Sequence, residues 1–254
     1  MKIHPLKKLA LAASYISSLP YLPKPQSEDE LVGLAKYLPI VGIFIGAILA
    51  LVLALCLWLH FNSLATALVI LVAWICITGS IHLDGWMDAA DGIFSHRSKE
   101  RMLEIMRDSR VGNFGAIAGI LLILTKYVSL LSLHSFWIWT ALLAIPAWAR
   151  WLEVFVIAVY PYARAEGMGK IWHATTSISD ILLAAIAPLL FTLLISFVFK
   201  APAVFLVIPL TVLPGIAMSY YIYRILDGQT GDTYGASVEF AEVCGLLFLS
   251  QTIH

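Results

Sequence analysis

Charge is scarce in this sequence: 13% of its 254 residues are Asp, Glu, Lys or Arg, while 61% are hydrophobic. With a mean hydropathy of +0.89, that scarcity excludes an ordinary soluble domain and leaves an integral membrane protein. Neither sign dominates. Lys plus Arg and Asp plus Glu each total 16, so net charge points to no nucleic acid and no acidic partner, and only the distribution of charge informs. Cysteine is nearly absent. Cys56, Cys76 and Cys244 lie in apolar runs without CxxC or histidine spacing, which excludes a disulfide framework and assigns them to packing. There is no low-complexity segment and no convincing internal repeat.

What the chain does have is long apolar runs. Roughly 20 apolar residues cross the hydrocarbon core. Runs near that length fall at about Tyr37–Trp58, Leu64–Ile81, Phe114–Leu133, Phe136–Tyr160, Ile181–Phe199, Pro202–Tyr223 and Ala236–Ile253. The expectation is an all-α polytopic bundle of about seven transmembrane helices, with six as the alternative, forming one membrane domain over residues 1–254. Gly42 and Gly46 form a small-xxx-small pair that predicts close helix packing, and Asp180 is the predicted N-cap of the fifth span. Residues 1–30 read as an interfacial or re-entrant arm. Lys2, Lys7 and Lys8 precede its apolar run, but Tyr15, Ser17, Ser18 and Pro20 make a poor cleavage region.

Cations set the orientation, because short cytoplasmic loops carry the excess of Lys and Arg. The arm bears Lys2, Lys7, Lys8, Lys24 and Lys36, and the loop after the second span bears Arg97, Lys99, Arg101, Arg107 and Arg110. With seven spans, Arg164, Lys170 and Arg224 fall on the same side, leaving only Lys200 opposite. The polar loops, and the chemistry they carry, are therefore expected to face the cytoplasm across the plasma membrane, the inner membrane of a bacterium or archaeon.

Those loops centre on residues 82–113. Asp84, Asp88 and Asp91 stand at i, i+4 and i+7, so a helix stacks them on one face. Like charges there repel and call for a cation, and hard carboxylate oxygens suit Mg²⁺ or Mn²⁺. Asp108 follows between Arg107 and Arg110, a composition suited to a metal-bound phosphate gripped by guanidinium forks. His82 either binds phosphate or the metal's water, or caps the span. The 161–170 loop offers Arg164 and Glu166, and the 226–235 loop offers Thr230 and Asp232, which suit a second cation or a ligand hydroxyl. Within the spans, Arg150 and Glu153 at i, i+3 are spaced to neutralise each other. Lys126 either meets Glu239 or Glu242 across a helix interface or reaches a cavity holding an anionic substrate.

His82-Leu83-Asp84-Gly85, Asp88, Asp91-Gly92 and Ile105-Met106-Arg107-Asp108-Ser109-Arg110 with Gly112 and Gly115 closely resemble the signature of the cobalamin synthase family, the adenosylcobinamide-GDP ribazoletransferases. The resemblance continues through Pro39-Ile40-Val41-Gly42, Ala163-Arg164-Ala165-Glu166-Gly167, Thr230-Gly231-Asp232, Glu239 and Glu242. Ala89, where threonine is common, and Phe94-Ser95-His96, in place of a glycine-rich link, depart from it.

The resemblance implies Mg²⁺-dependent transfer in which α-ribazole or its 5′-phosphate displaces GMP from adenosylcobinamide-GDP. It implies catalytic and metal roles for Asp84, Asp88, Asp91 and Asp108. Substrate contacts are expected from His82, Arg107, Arg110, Lys126, Arg150, Arg164, Glu166, Thr230 and Asp232. Beyond the two substrates and the bilayer, the expected partners are a second copy of the chain and other late enzymes of cobalamin synthesis, with no nucleic acid. A CDP-alcohol phosphotransferase is the rival from the same chemistry, and a secondary transporter the rival from another class.

Overall fold

The computed structural model describes residues 4–133 and 136–251, so the N-terminal Lys2 and the expected end of the last span at Ile253 lie outside the described residues. Eleven α-helices follow in order among those residues: α1 Pro5–Ile16, α2 Leu38–Trp58, α3 Ser63–Thr78, α4 Ile81–Ile93, α5 Lys99–Ile105, α6 Asn113–Ser132, α7 Phe136–Val159, α8 Met168–Thr175, α9 Ile178–Phe199, α10 Val207–Leu226 and α11 Gly231–Gln251. The chain is a polytopic helical membrane protein. A single isolated bridge, Tyr162 to Gln229, is the only extended pairing among the described residues.

Among the described residues, five helical segments are long and apolar enough to cross a membrane: Ala35–Trp58, α6, α7, α9 and Pro202–Leu226. The pair α3 and α4 passes only when taken together and is bent by 87°. The sequence predicts one continuous span over Leu64–Ile81. Instead α3 stops at Thr78, because Gly79 (φ +61°) and Ser80 (φ +60°) both adopt left-handed backbone and turn the chain sharply. We read α4 as leaving the span and running across the polar end of the bundle.

The seventh expected span, α11, is by composition less apolar than the helices that can cross a membrane alone. It carries Glu239 and Glu242 and is buried along most of its length by the helices around it, so it need not be apolar. It begins at Gly231, five residues before the expected Ala236, because Thr230 caps it: the Thr230 hydroxyl accepts from Thr233 N at 3.3 Å while Thr233 Oγ1 accepts from Thr230 N at 2.7 Å.

One apolar core runs from Leu11 and Ile16 of α1 to Leu246 and Leu249 of α11, with α7 at its centre. The Gly42/Gly46 pair does what its spacing predicts. A Cβ on Gly42 would stand 2.5 Å from the Pro146 carbonyl oxygen, and one on Gly46 would stand 2.6 Å from that of Leu142, so α2 lies directly on α7. By contrast α9 exposes Leu182, Leu190, Leu193 and Phe197, as a lipid-facing helix does. Its N-cap is Ser177, not Asp180. Asp180 sits at N3, accepts from Ser177 N at 3.0 Å, and pairs with Lys36 at 3.1 Å. The arm packs inward: Leu11, Ala12 and Ile16 are buried, and Lys7 pairs with Glu30 at 2.6 Å.

Candidate active site

The polar loops gather at one end of the bundle. Ala163 N donates to Gln229 O and Gln229 N to Pro161 O, both at 2.8 Å, so the loop carrying Arg164 is stitched to the loop that starts α11. Across this junction Arg164 Nη2 donates to Asp232 Oδ2 at 2.6 Å. Asp232 lies in the first turn of α11, where unpaired backbone N–H groups favour negative charge. The main chain at Asp232 also touches α4. A Cβ on Gly85 would meet the Asp232 carbonyl oxygen at 2.5 Å, and that absence of a side chain brings the aspartate helix against Asp232.

The three acids of α4 then have different surroundings. Asp91 accepts from Gly112 N at 2.7 Å and Gly115 N at 2.8 Å, which caps α6 from outside that helix. Asp84 is exposed, Asp88 is half-buried, and neither carboxylate has a hydrogen-bond or ion-pair partner among the described residues. Burial, followed by the charges of Asp84, Asp232 and Asp91, pushes Asp88 up to about 7, and Arg164 only partly offsets this. Two carboxylates left free beside Asp232, one of them pushed up by its neighbours, form a donor set whose chemistry fits a hard divalent cation. Among the described residues, no three Asp, Glu, His or Cys side chains already converge on one point at ligating distance.

Asp108 is not drawn into this cluster. It accepts from Arg110 Nε at 3.0 Å and Nη2 at 2.6 Å, hydrogen bonds that hold its carboxyl down to about 2. Arg107 and Arg164 instead share a cavity of 450 Å³ with Glu166 and Asp232. Next to it are a larger cavity of 840 Å³, lined by the arm and by Glu166, and a smaller one of 170 Å³ beside Asp84. All three include Tyr15 of α1. Tyr15, Tyr162, Trp172 and Tyr234 were missed by the sequence reading, since an aromatic in an apolar segment carries no mark distinguishing a cavity wall from core. Burial, then Glu153, Tyr162 and Asp232, push the Tyr15 hydroxyl up to about 12, so it stays a hydrogen-bond donor.

Beneath the site the interior charges link up in a way that corrects the expected local pairing. Arg150 makes no direct ion pair with Glu153 among the described residues, although the Glu153 charge acts on it. It reaches across to Glu242 of α11 and stands 3.3 Å from His82 Nδ1, while Glu153 lies 3.7 Å from His82 Nε2. Lys126 takes the first of its two alternatives, bonding Glu239 and Glu242 at 2.6 Å each, under a Trp74 ring at 4.9 Å. Lys126 is 3% and Arg150 0% exposed, so neither is placed to touch a substrate at the polar end. Thr230 is likewise withdrawn, fully buried with its hydroxyl committed to the α11 cap.

Fold and site together define a multi-pass helical membrane protein with an acidic, arginine-bearing pocket at one end. A family model described as cobalamin-5-phosphate synthase matches residues 8–250, and the chain belongs to that family. A relative from Desulfitobacterium hafniense (strain Y51), named adenosylcobinamide-GDP ribazoletransferase, is 37% identical over 249 residues, covering 95% of this chain and 96% of its own length. A relative of the same name from Roseiflexus sp. (strain RS-1) is 40% identical over 243 residues, covering 95% and 87%. Another, from Synechococcus elongatus, is 38% identical over 234 residues, covering 91% and 92%. No solved structure matches the chain.

Proposed function

We propose that this chain is an adenosylcobinamide-GDP ribazoletransferase, a transferase that joins adenosylcobinamide-GDP to α-ribazole or its 5′-phosphate with release of GMP. The observation that carries the reading is the family match over residues 8–250, which encloses every element of the pocket. A ribose hydroxyl oxygen forms a bond to the phosphorus attached to cobinamide. The bond from that phosphorus to the bridging oxygen breaks, and GMP leaves with the electron pair. The hydroxyl proton passes to a carboxylate of the cluster, Asp88 or Asp91. Little covalent work falls to the protein in such a transfer. Its task is to position the reactants and neutralise charge.

The residues fit that task. Arg107 and Arg164 line one cavity, where their forks bind phosphate oxygens. Asp84 and Asp88 would hold Mg²⁺, with Asp91 beside them on the same helix face. Bound there, the ion supplies charge neutralisation on the diphosphate. In this reading the pocket faces the cytoplasm across the plasma membrane, which the excess of Lys and Arg in the loops around it supports. The test is turnover by detergent-purified protein given Mg²⁺, adenosylcobinamide-GDP and α-ribazole, following GMP and the cobalamin product. Product formation that EDTA stops supports the reading; a purified, folded protein that releases no GMP from the corrinoid refutes it.

A further inference from the structure

His82 belongs to the first turn of the aspartate helix, yet it is only 4% exposed and meets Arg150 and Glu153 of α7. Arg150 Nη2 stands 3.3 Å from His82 Nδ1. A guanidinium has donors and no acceptor, so Nδ1 accepts that bond and the ring carries its hydrogen on Nε2. Nε2 in turn stands 3.7 Å from Glu153 Oε1. One nitrogen has its lone pair engaged and the other has none to offer, so the ring as placed is not a metal ligand. His82 borders the 170 Å³ cavity beside Asp84, but both its nitrogens face α7.

The ring is tied to most of the bundle through that contact. Arg150 is held in place by Glu242 of α11, and Glu242 shares Lys126 of α6 with Glu239, each at 2.6 Å from the ammonium. The backbone of the same turn is also fixed: a Cβ on Gly235 of α11 would stand 3.0 Å from His82 Cα. Asp84, Asp88 and Asp91 follow His82 by two, six and nine residues, so at 3.6 residues per turn all three lie about 180–240° round the helix from it. A ring fixed toward the interior therefore turns the three acids outward together. We propose that His82 is a positioning residue: held by Arg150, it locks the rotation of α4 about its own axis and so aims the carboxylates at the pocket. The inference rests on the reading of those carboxylates as the metal site, but not on the identity of the substrates.

The experiment compares wild type with His82→Asn, His82→Gln and His82→Leu in the full-length, detergent-purified protein. An asparagine amide oxygen falls near the place of Nδ1 and can accept from Arg150, a glutamine amide reaches the place of Nε2, and leucine offers Arg150 nothing. The readouts are kcat, KM for each substrate, the Kd for Mn²⁺ by electron paramagnetic resonance, and the spin-echo modulation that a coordinating histidine nitrogen imposes on bound Mn²⁺. In His82→Leu and His82→Gln, kcat should fall about a hundredfold, as for a displacement of about 1 Å at the reacting groups. Mn²⁺ should bind those two about tenfold more weakly. His82→Asn should stay within about tenfold of wild-type kcat, KM should move less than about threefold throughout, and wild type should show no histidine nitrogen on Mn²⁺. Better rescue by glutamine than by asparagine, a histidine nitrogen on the metal, or a rise in KM with kcat retained overturns the inference and makes His82 a direct ligand. Asparagine no better than leucine, or loss of the fold in all three variants, also overturns it. If only His82→Leu fails to fold, the asparagine and glutamine pair decides. Should wild type bind Mn²⁺ but form no cobalamin product, the reaction assignment fails and the Mn²⁺ affinities decide the role of His82. Should it turn over without binding Mn²⁺, the metal reading fails and the order of kcat decides. With neither, there is no site to position and the inference falls.

Discussion

A Cβ at Gly85 would stand 2.5 Å from the carbonyl oxygen of Asp232, so the aspartate helix and the first turn of α11 are in main-chain contact. Neither backbone can give way as the end of a flexible side chain would. Gly85→Ala should push α4 outward despite alanine's better helix propensity, at about 1–3 kcal/mol of overpacking. A displacement of about 1 Å at a catalytic cluster can reduce turnover roughly a hundredfold. The check is kcat alongside a thermal melt in detergent: kcat should fall at least tenfold with a modest shift in melting. Wild-type turnover would mean that this contact does not set the position of the carboxylates.

Asp84→Asn and Asp88→Asn should each remove turnover to below about a hundredth of wild type while the protein stays folded, since neither side chain has a hydrogen-bond or ion-pair partner to lose among the described residues. Both should also weaken Mn²⁺ binding followed by electron paramagnetic resonance. Asp91→Asn behaves differently. Asp91 caps α6 through Gly112 and Gly115, so its loss should cost about 1–2 kcal/mol of stability as well as activity.

Lys126→Met leaves Glu239 and Glu242 facing each other in the interior without their shared cation. Removing one partner of a buried ion pair costs about 3–5 kcal/mol. The melting temperature should fall sharply, and adding Glu239→Gln to Lys126→Met should recover part of the loss. A single variant that melts like wild type would show that the cluster is solvated.

Arg107→Ala should raise the KM for the corrinoid substrate about tenfold or more, because Arg107 lines the cavity with Arg164. Arg110→Ala should change KM less than threefold and leave the melting temperature near that of wild type, since its ion pair with Asp108 lies at the solvent-exposed surface. The reverse order would move phosphate binding to the 108–110 corner.

The periodic features were legible in the sequence. Apolar runs marked the membrane helices, the Gly42/Gly46 spacing marked the α2–α7 contact, and the i, i+4, i+7 acids marked one face of α4, because each repeats within a turn or two of helix. Sequence spacing did not reveal pairings set by the folded bundle. Arg150 and Glu153 are three residues apart yet bond elsewhere, since Glu242 of α11 is the nearer partner in space. The turn at Gly79-Ser80 lay inside an apolar run that read as continuous, and Ser80 at positive φ has no common sequence mark. The 170 Å³ cavity was illegible because its walls come from α1, α4, α7, α8 and α11.

The Lys126 contacts with Glu239 and Glu242 span 113 and 116 residues of chain. At translation rates of about 5–20 residues per second, Lys126 enters the bilayer on the order of ten seconds before its carboxylates exist. During that interval α6 holds an unmatched ammonium in an apolar surround, a costly state. Biogenesis is therefore completed from the C-terminus: the last helix to be made discharges the strain of an earlier one. Shortening or delaying α11 should leave a nascent protein exposed to membrane quality-control proteolysis, even though Asp84, Asp88 and Asp91 of α4 have already been synthesised.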